Sequence, residues 1–175
     1  MFTSNGRYIL RSLNNFRINI YLRSLEEIEK EIKTIDNELL KYSDIEEVKL
    51  LMTIPGIGLL SALIIYSEIG DIKRFSNSRK LVSYAGLNPT TRQSSDVIHH
   101  GHITRQGSPY LRLILTECFH IHLMSDSHSN LSNYYRRMAR RIGKKKAIIA
   151  SASKLLKIIY WILKEKRPYM EIHAQ

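Results

Sequence analysis

Residues 18–42 carry an apolar repeat that limits the folds open to this chain more than any other feature. The apolar positions are spaced alternately by three and four residues over four heptads: Ile18, Tyr21, Leu25, Ile28, Ile32, Ile35, Leu39 and Tyr42. On an α-helix this spacing forms one apolar stripe, and a sustained seven-residue repeat is typical of the a and d positions of a coiled coil. Because no glycine or proline interrupts residues 7–54, we predict a long N-terminal helix.

The apolar stripe needs a covering surface, and a second copy of the chain is the simplest one. We therefore expect a homo-oligomer formed through the coiled coil, with a helix that folds back onto its own domain as the alternative. In both cases the segment serves assembly and not catalysis. We assign residues 1–45 to a coiled-coil arm and residues 46–175 to a compact helical domain. No alternating strand pattern is evident, so the predicted fold class is all-α.

The net charge of +11 is distributed unevenly along the chain. Residues 1–25 carry four arginines and no acid, residues 26–50 carry nine acids against four lysines, and residues 51–175 carry a surplus of twelve positive charges. A surplus of this size favours a polyanionic partner, so we expect residues 51–175 to contact nucleic acid.

Cysteine content and hydropathy exclude several other classes of protein. The single cysteine, Cys118, excludes an intramolecular disulfide and a multi-cysteine zinc site. The N-terminus lacks the basic-then-apolar pattern of a signal peptide, and no apolar run approaches the ~18–20 residues of a membrane span. We expect no membrane partner, and a cytoplasmic protein that associates with the nucleoid when it is bound to DNA.

Residues 50–62 predict two helices joined by a tight turn. Pro55 ends the first helix, Gly56 and Gly58 permit a sharp turn, and a second helix is expected to start near Leu59. This pattern fits a helix-hairpin-helix, in which backbone amides of the turn, here Pro55, Gly56, Ile57 and Gly58, grip a DNA phosphate. A plain corner between two helices is the alternative interpretation.

Residues 87–115 combine hydroxyl nucleophiles with cationic side chains. Ser94 and Ser95 lie in a predicted polar loop with five other polar side chains: Arg92, His99, His100, His102 and Arg105. Ser108 and Pro109 predict the N-cap and first turn of a following helix, which runs to about Met124 and carries Arg112. A serine hydroxyl beside positive charge can attack a phosphodiester, whose developing negative charge must be neutralised. The alternative is a solvated polar loop.

The segment from Arg136 to Lys146 is the most basic part of the chain. Seven of its eleven residues are basic and none is acidic: Arg136, Arg137, Arg140, Arg141, Lys144, Lys145 and Lys146. We expect this segment to contact a nucleic-acid backbone, and the alternative is a solvated charged loop. A packed helix should follow over roughly residues 145–164, where apolar residues recur at helical spacing.

Two rival chemistries have weaker support. Tyr134 and Tyr135 lie beside arginines, but tyrosines in such positions more often stack and pack than attack phosphate. His120 and His122 are two residues apart on a predicted helix and point to different faces, so we predict no metal site.

Several short motifs follow one another between about residues 45 and 170. They are Ile54-Pro55-Gly56-Ile57-Gly58, Glu68-Ile69-Gly70-Asp71-Ile72, Arg74-Phe75, Tyr84-Ala85-Gly86-Leu87-Asn88-Pro89, Arg92-Gln93-Ser94, Ile103-Thr104-Arg105-Gln106-Gly107, Leu111-Arg112, Lys146-Ala147, Lys154-Leu155-Leu156 and Pro168-Tyr169. Their order resembles one family, the bridge-RNA-guided insertion-sequence transposases, whose C-terminal domain contains a helix-hairpin-helix and a catalytic serine.

The resemblance implies DNA transposition or site-specific recombination with Ser94 as the nucleophile. Family members usually have glycine after that serine, where this chain has Ser95, and Ser95 is the second candidate. The resemblance also implies a guide RNA as a further partner.

Full members carry an N-terminal RuvC-like domain that binds Mg²⁺, and this chain starts within what would be the linker after it. We therefore expect no cofactor in this chain, Mg²⁺ only together with a RuvC-like domain, and weak or no activity of the chain alone. The alternative function is a non-catalytic helix-hairpin-helix module that binds DNA as a dimer.

Overall fold

A computed structural model describes the backbone of residues 4–94, 97–103 and 107–170, and the side chains of residues 14–88 and 107–170. The chain divides into two compact units, Met1–Lys41 and Tyr42–Gln175. The first unit is one helix and the second is a helical bundle that carries a β-hairpin.

The first unit confirms the predicted long N-terminal helix. Helix α1 spans Ser4–Leu40. Tyr42, the last member of the apolar repeat, follows the end of this helix in a turn. Five consecutive repeat positions each leave about half of the side chain or more exposed: Tyr21 60%, Leu25 56%, Ile28 52%, Ile32 50% and Ile35 58%. The coiled coil itself stays a prediction.

The described part of the second unit contains six α-helices, a short 3-10 helix at Ile72–Arg74 and one pair of strands. The elements are α2 Glu46–Met52, α3 Leu59–Ile69, α4 Ser78–Tyr84, β1 Pro89–Ser94, β2 Val97–Ile103, α5 Pro109–Ser125, α6 Asn130–Ile142 and α7 Lys144–Glu165. The all-α class is confirmed. The structure differs from the prediction between α4 and α5, where the segment predicted as a polar loop forms an antiparallel β-hairpin.

Helix α7 forms the centre of the bundle and packs against α2, α4, α5 and α6. The apolar residues predicted to make it pack are buried: Ala152, Leu155, Leu156, Ile159 and Leu163. Tyr160 is also fully buried, and its hydroxyl donates to the carbonyl of Phe75 at 3.3 Å. Because each large buried side chain contributes about 1.5–3 kcal/mol, the buried face of α7 stabilises this unit strongly.

Across the described chain, no helix combines the length and the apolar character that a membrane crossing requires.

Candidate nucleic-acid interface

The β-hairpin carries the predicted nucleophile at its tip. Ser94 ends β1 and lies opposite Val97, the first residue of β2. In the same register Arg92 lies opposite His99. The predicted site residues of this segment have side chains outside the described residues: Arg92, Ser94, Ser95, His99, His100 and Arg105.

Ser108 ties the end of the hairpin segment to the helical bundle. Its amide donates to the carbonyl of Tyr84 at 3.2 Å, and its hydroxyl donates to the Glu68 carboxylate at 2.6 Å. The same hydroxyl oxygen accepts from the Leu111 amide at 3.0 Å, which confirms Ser108 as the N-cap of α5. One serine therefore caps a helix and joins residues that are 40 positions apart in the chain.

Glu68 and its neighbours join the two chain segments that flank the hairpin. These contacts form what is here named the base of the hairpin. The carbonyl of Glu68 accepts from the Arg74 guanidinium at 3.2 Å and from the Tyr84 hydroxyl at 3.3 Å. The Arg74 guanidinium also lies 4.7 Å from the ring centres of both Phe75 and Tyr84. Cation–π contacts on two rings hold this arginine in place, so the end of α3 is joined to the end of α4.

Gly107 and Arg112 complete the base on the side of α5. Gly107 has φ +150°, and a Cβ there would lie 2.2 Å from the carbonyl oxygen of Tyr84. Only glycine fits this approach without a backbone shift. Arg112, one of the predicted DNA-binding residues, is half-buried and donates to the carbonyl of Ala85 at 3.1 Å. It braces the end of α4, shortly before the hairpin begins.

The Pro-Gly turn between α2 and α3 packs against the other end of α5. Gly56 has φ +93°, and a Cβ there would lie 2.5 Å from the amide nitrogen of His122 and 2.7 Å from the carbonyl oxygen of Cys118. The carbonyl of Pro55 accepts from Nδ1 of His122 at 2.7 Å. The turn is therefore fixed by its contact with α5.

The second half of the turn presents backbone groups at the start of α3. Ile57 is buried, so only its backbone is available to a ligand, and its amide already donates to Ile54 at 3.0 Å. Gly58 is exposed and is the N-cap of α3, with no side chain capping the helix. The first amides of an α-helix have no partner within the helix, so those of α3 remain available for an anion.

His122 connects the turn to α6. The residue is fully buried, and its Nε2 lies 2.8 Å from the hydroxyl of Ser129. Because a carbonyl can only accept, Nδ1 carries the proton that is donated to Pro55. In the neutral ring Nε2 then accepts from Ser129, whose oxygen also accepts from the Ser132 amide at 3.0 Å and caps α6.

Helix α6 and the start of α7 carry the basic cluster predicted from the sequence. All seven of its side chains are exposed: Arg136, Arg137, Arg140, Arg141, Lys144, Lys145 and Lys146. No aspartate or glutamate occurs in residues 127–164. Within the described residues none of the seven forms an ion pair. Mutual repulsion of these cations is relieved when a polyanion lies against them.

Tyr134 organises two cations at the edge of this cluster. The Lys154 ammonium lies 4.5 Å and the Arg137 guanidinium 5.8 Å from the centre of its ring. Partial burial and the nearby Arg137 charge lower the pKa of Lys154. Two like charges held on one ring form a site that favours an anion.

Two other kinds of chemistry find little support in the described residues. Burial raises the pKa of the Cys118 thiol, with an opposing hydrogen bond from Ser61, so the thiol stays protonated and unreactive. No group of three or more His, Cys, Asp or Glu side chains able to bind a metal ion occurs where side chains are described.

Sequence reasoning named Glu68, His122 and Lys154 but assigned none of them the positioning contacts that the structure shows. Glu68 lies 40 positions from Ser108, and His122 lies 67 positions from Pro55, so no local pattern joins either pair. Lys154 lies among the apolar residues of α7. Its contact with the Tyr134 ring exists only because α6 packs against α7. The available signals were the family motifs that contain Glu68 and Lys154.

Comparison with known proteins places this arrangement in a family. The profile of the Transposase IS116/IS110/IS902 family matches residues 48–136, from α2 to the middle of α6. The chain is 37% identical over 111 residues to the putative transposase y4rJ of Sinorhizobium fredii. The aligned region covers 61% of this chain and 28% of that protein.

Two further relatives align over longer parts of the chain. The transposase for insertion sequence element IS1111A of Coxiella burnetii is 29% identical over 71% of this chain and 35% of its own length. The pilin gene-inverting protein of Moraxella bovis is 35% identical over 69% of this chain and 38% of its own length. The chain thus spans about a third of the length of these relatives. Because the family profile covers half of its residues, the chain belongs to the Transposase IS116/IS110/IS902 family.

Proposed function

We propose that this chain supplies the DNA-binding and strand-exchange part of a transposase, with Ser94 as the nucleophile and Ser95 as the alternative. One observation carries the proposal: the family match extends over residues 48–136, which include the turn at Pro55, the hairpin with Ser94 and the start of the basic cluster. Its relatives include a transposase of an insertion sequence and a pilin gene-inverting protein.

The proposed reaction is a transesterification. The Ser94 oxygen attacks a DNA phosphorus while its proton passes to a base, and the bond to the 3′ oxygen breaks as that oxygen takes up a proton. The product is a phosphoserine diester, and attack by another 3′-hydroxyl reverses the step on a new strand. Arg92 and His99, which pair in register beside the tip, are proposed to neutralise the charge that develops on the phosphate.

The fold supports contact with one duplex at two places. The hairpin segment joins the bundle at Ser108, at the start of α5. Near the end of α5, His122 contacts both the Pro-Gly turn and the start of α6. Fourteen helical residues correspond to about 21 Å, which is about six base pairs of B-DNA. We propose that the turn and α6 hold the DNA backbone while the hairpin tip reaches the phosphate to be cut.

The remaining partners are part of the same proposal. A homodimer formed through α1 would bring two serines to two DNA strands. A guide RNA would bind through phosphate contacts of the same kind as DNA, which the basic cluster offers to either polymer. Mg²⁺ chemistry is assigned to a RuvC-like domain supplied by another part of the transposase, as the family resemblance implies.

The test is a denaturing-gel assay for a covalent protein–DNA adduct. Labelled DNA with the sequences that flank the gene for this chain is incubated with the wild type, Ser94→Ala and Ser95→Ala, each with and without the N-terminal part of a longer relative. We expect an adduct that Ser94→Ala abolishes and Ser95→Ala retains, because only the former removes the attacking oxygen.

Filter binding of the same DNA is the control, and both variants should bind within about twofold of the wild type, since neither loses a charge. Absence of an adduct under every condition, with DNA binding retained, would instead support the non-catalytic DNA-binding dimer. An adduct that survives in Ser94→Ala but not in Ser95→Ala would move the nucleophile by one residue.

The basic cluster predicts a steep salt dependence of DNA binding. The logarithm of the binding constant should fall with the logarithm of the salt concentration, with a slope of about −0.9 for each phosphate neutralised. Replacing Arg140, Arg141 and Lys144 together by glutamine should weaken binding and reduce the slope by up to about 2.7. Fluorescence anisotropy at several salt concentrations measures both quantities.

Lys49→Gln provides the control for this charge effect. Its ammonium already pairs with the Asp44 carboxylate at 2.9 Å, so the variant removes a cation that has an acidic partner. The slope should stay within experimental error of the wild type. An unchanged slope in the triple variant would exclude the cluster from the DNA contact.

A further inference from the structure

The apolar face of α1 and its charges specify how two copies of the helix pair. We propose that α1 forms an antiparallel coiled coil with α1 of a second copy, in the register that places Ile18 opposite Ile35 of the partner. The inference concerns the dimer of the proposed function, and it does not depend on the serine chemistry.

Charge is distributed in opposite senses along the two halves of α1. Residues 4–25 contain four arginines and no acid, whereas residues 26–40 contain six acids and two lysines. In a parallel pair the basic half of one helix would lie beside the basic half of the other, and the two acidic halves would lie side by side and repel each other. An antiparallel pair places the basic half of each helix against the acidic half of the other, which is the complementary arrangement.

Individual flanking positions lead to the same choice. With Ile18, Leu25, Ile32 and Leu39 at position a, a parallel pair brings Glu31 next to Asp36 of the partner, and it does so twice. It offers no pair of opposite charges in return, since Arg17 meets a leucine and Glu38 meets a serine.

The antiparallel register centred between residues 26 and 27 removes these like-charge contacts. It stacks six apolar layers, formed by Ile18 with Ile35, Tyr21 with Ile32, and Leu25 with Ile28, each occurring twice. It also brings Arg17 of each helix to Glu38 of the other. Both of these side chains are exposed, and the Glu38 carboxylate now contacts only Lys41 of its own helix among the described residues.

Neighbouring antiparallel registers fit less well. A shift by one heptad towards the C-terminus would place Glu29 against Glu29 and Glu31 against Glu31 at the two-fold axis. It would also need Tyr42 in a terminal layer, although α1 ends at Leu40. A shift towards the N-terminus leaves four apolar layers and brings Arg11 into the seam opposite Ile35. Asn14, which faces Leu39 at each end of the proposed register, would then face Ile32 inside the seam.

Cysteine cross-linking of the full chain tests the orientation. Ile18→Cys, Ile35→Cys and the double variant are treated with a short bis-maleimide at micromolar protein concentration and run on a denaturing gel. We expect cross-linked dimer only from the double variant, because identical positions 18 are about 26 Å apart in the antiparallel pair. The wild type is the control, since Cys118 is fully buried. Dimer from either single variant would overturn the proposal, and so would a monomer by analytical ultracentrifugation.

A charge exchange tests the register without touching the apolar layers. Arg17→Glu and Glu38→Arg should each raise the dimer dissociation constant about tenfold, because each replaces two attractive contacts by two repulsive ones. The double exchange should return it to within about threefold of the wild type. The contact between Glu38 and Lys41 is lost in the Glu38→Arg variant and in the double exchange alike, so it cannot produce the rescue. A double variant weaker than either single variant would overturn the register, whatever the outcome of the adduct assay.

Discussion

Replacing Gly56 by alanine is expected to destabilise residues 42–170 by about 2–5 kcal/mol. The φ of +93° costs an L-residue about 1–2 kcal/mol, and the new Cβ would lie 2.5 Å from the His122 nitrogen and 2.7 Å from the Cys118 carbonyl. Both neighbours are backbone atoms of α5 and cannot turn aside, so the turn or the helix must shift, which costs a further ~1–3 kcal/mol. Urea unfolding followed by circular dichroism measures the change.

Gly58→Ala is the matched control, two residues away in the same turn. It has no atom within 4 Å of its would-be Cβ and φ is −89°, so we expect only the cost of alanine in place of glycine at an N-cap, about 0.5–1 kcal/mol. Equal stability of Gly56→Ala and the wild type would show that the turn does not pack on α5 as described.

Comparing Gly56→Ala with Gly58→Ala also distinguishes an effect on folding from an effect on DNA binding. Gly58 is exposed at the start of α3, where a phosphate would be held, whereas Gly56 contacts α5. A loss of DNA affinity in a stable Gly58→Ala variant would therefore assign that loss to the phosphate contact.

Local physical rules predicted the elements whose signals lie within a few residues. The heptad repeat predicted α1, because a three-four spacing has a meaning only on a helix. Ser108 and Pro109 predicted the start of α5 to the residue, because N-cap and first-turn preferences act between adjacent positions. The apolar spacing from Ile148 to Leu163 predicted α7, whose bounds differ from the prediction by one residue at each end.

Features that depend on distant residues were not predictable in this way. The strands of the hairpin carry mostly polar residues without apolar alternation, so the pattern indicated a loop. The base of the hairpin joins Glu68 to Ser108, and no rule of local sequence relates two residues 40 positions apart. The roles of the predicted site residues stay predictions, whereas the contacts among Glu68, Tyr84 and Ser108 came only from the fold.

In the proposed function the base of the hairpin positions the hairpin, whereas the end of α5 positions the Pro-Gly turn and α6. Hydrogen bonds of Ser108 and Arg112 and the close approach of Gly107 fix where the hairpin leaves the bundle. The bonds of His122 fix where the Pro-Gly turn meets α6. Helix α5 lies between them, so its length sets the distance between the base of the hairpin and the Pro-Gly turn.

His122→Ala is expected to lower the free energy of unfolding of residues 42–170 by about 3–5 kcal/mol. The side chain is fully buried, so its loss leaves a cavity, and the Pro55 carbonyl and the Ser129 hydroxyl lose their partner at once. His122→Phe keeps most of the volume and should cost about 1–3 kcal/mol, the part that belongs to the hydrogen bonds.

His120→Ala, at a nearby position of the same helix, is the control, because His120 is exposed. Its effect should stay within about 0.5 kcal/mol. Since Ser129 caps α6, the two His122 variants should also loosen the basic cluster, and hydrogen exchange of the α6 amides would show this as faster exchange than in His120→Ala. If His122→Ala and His120→Ala were equally stable, the histidine would not join the turn to α6, and the phosphate grip would have to be built from α3 or α6 alone.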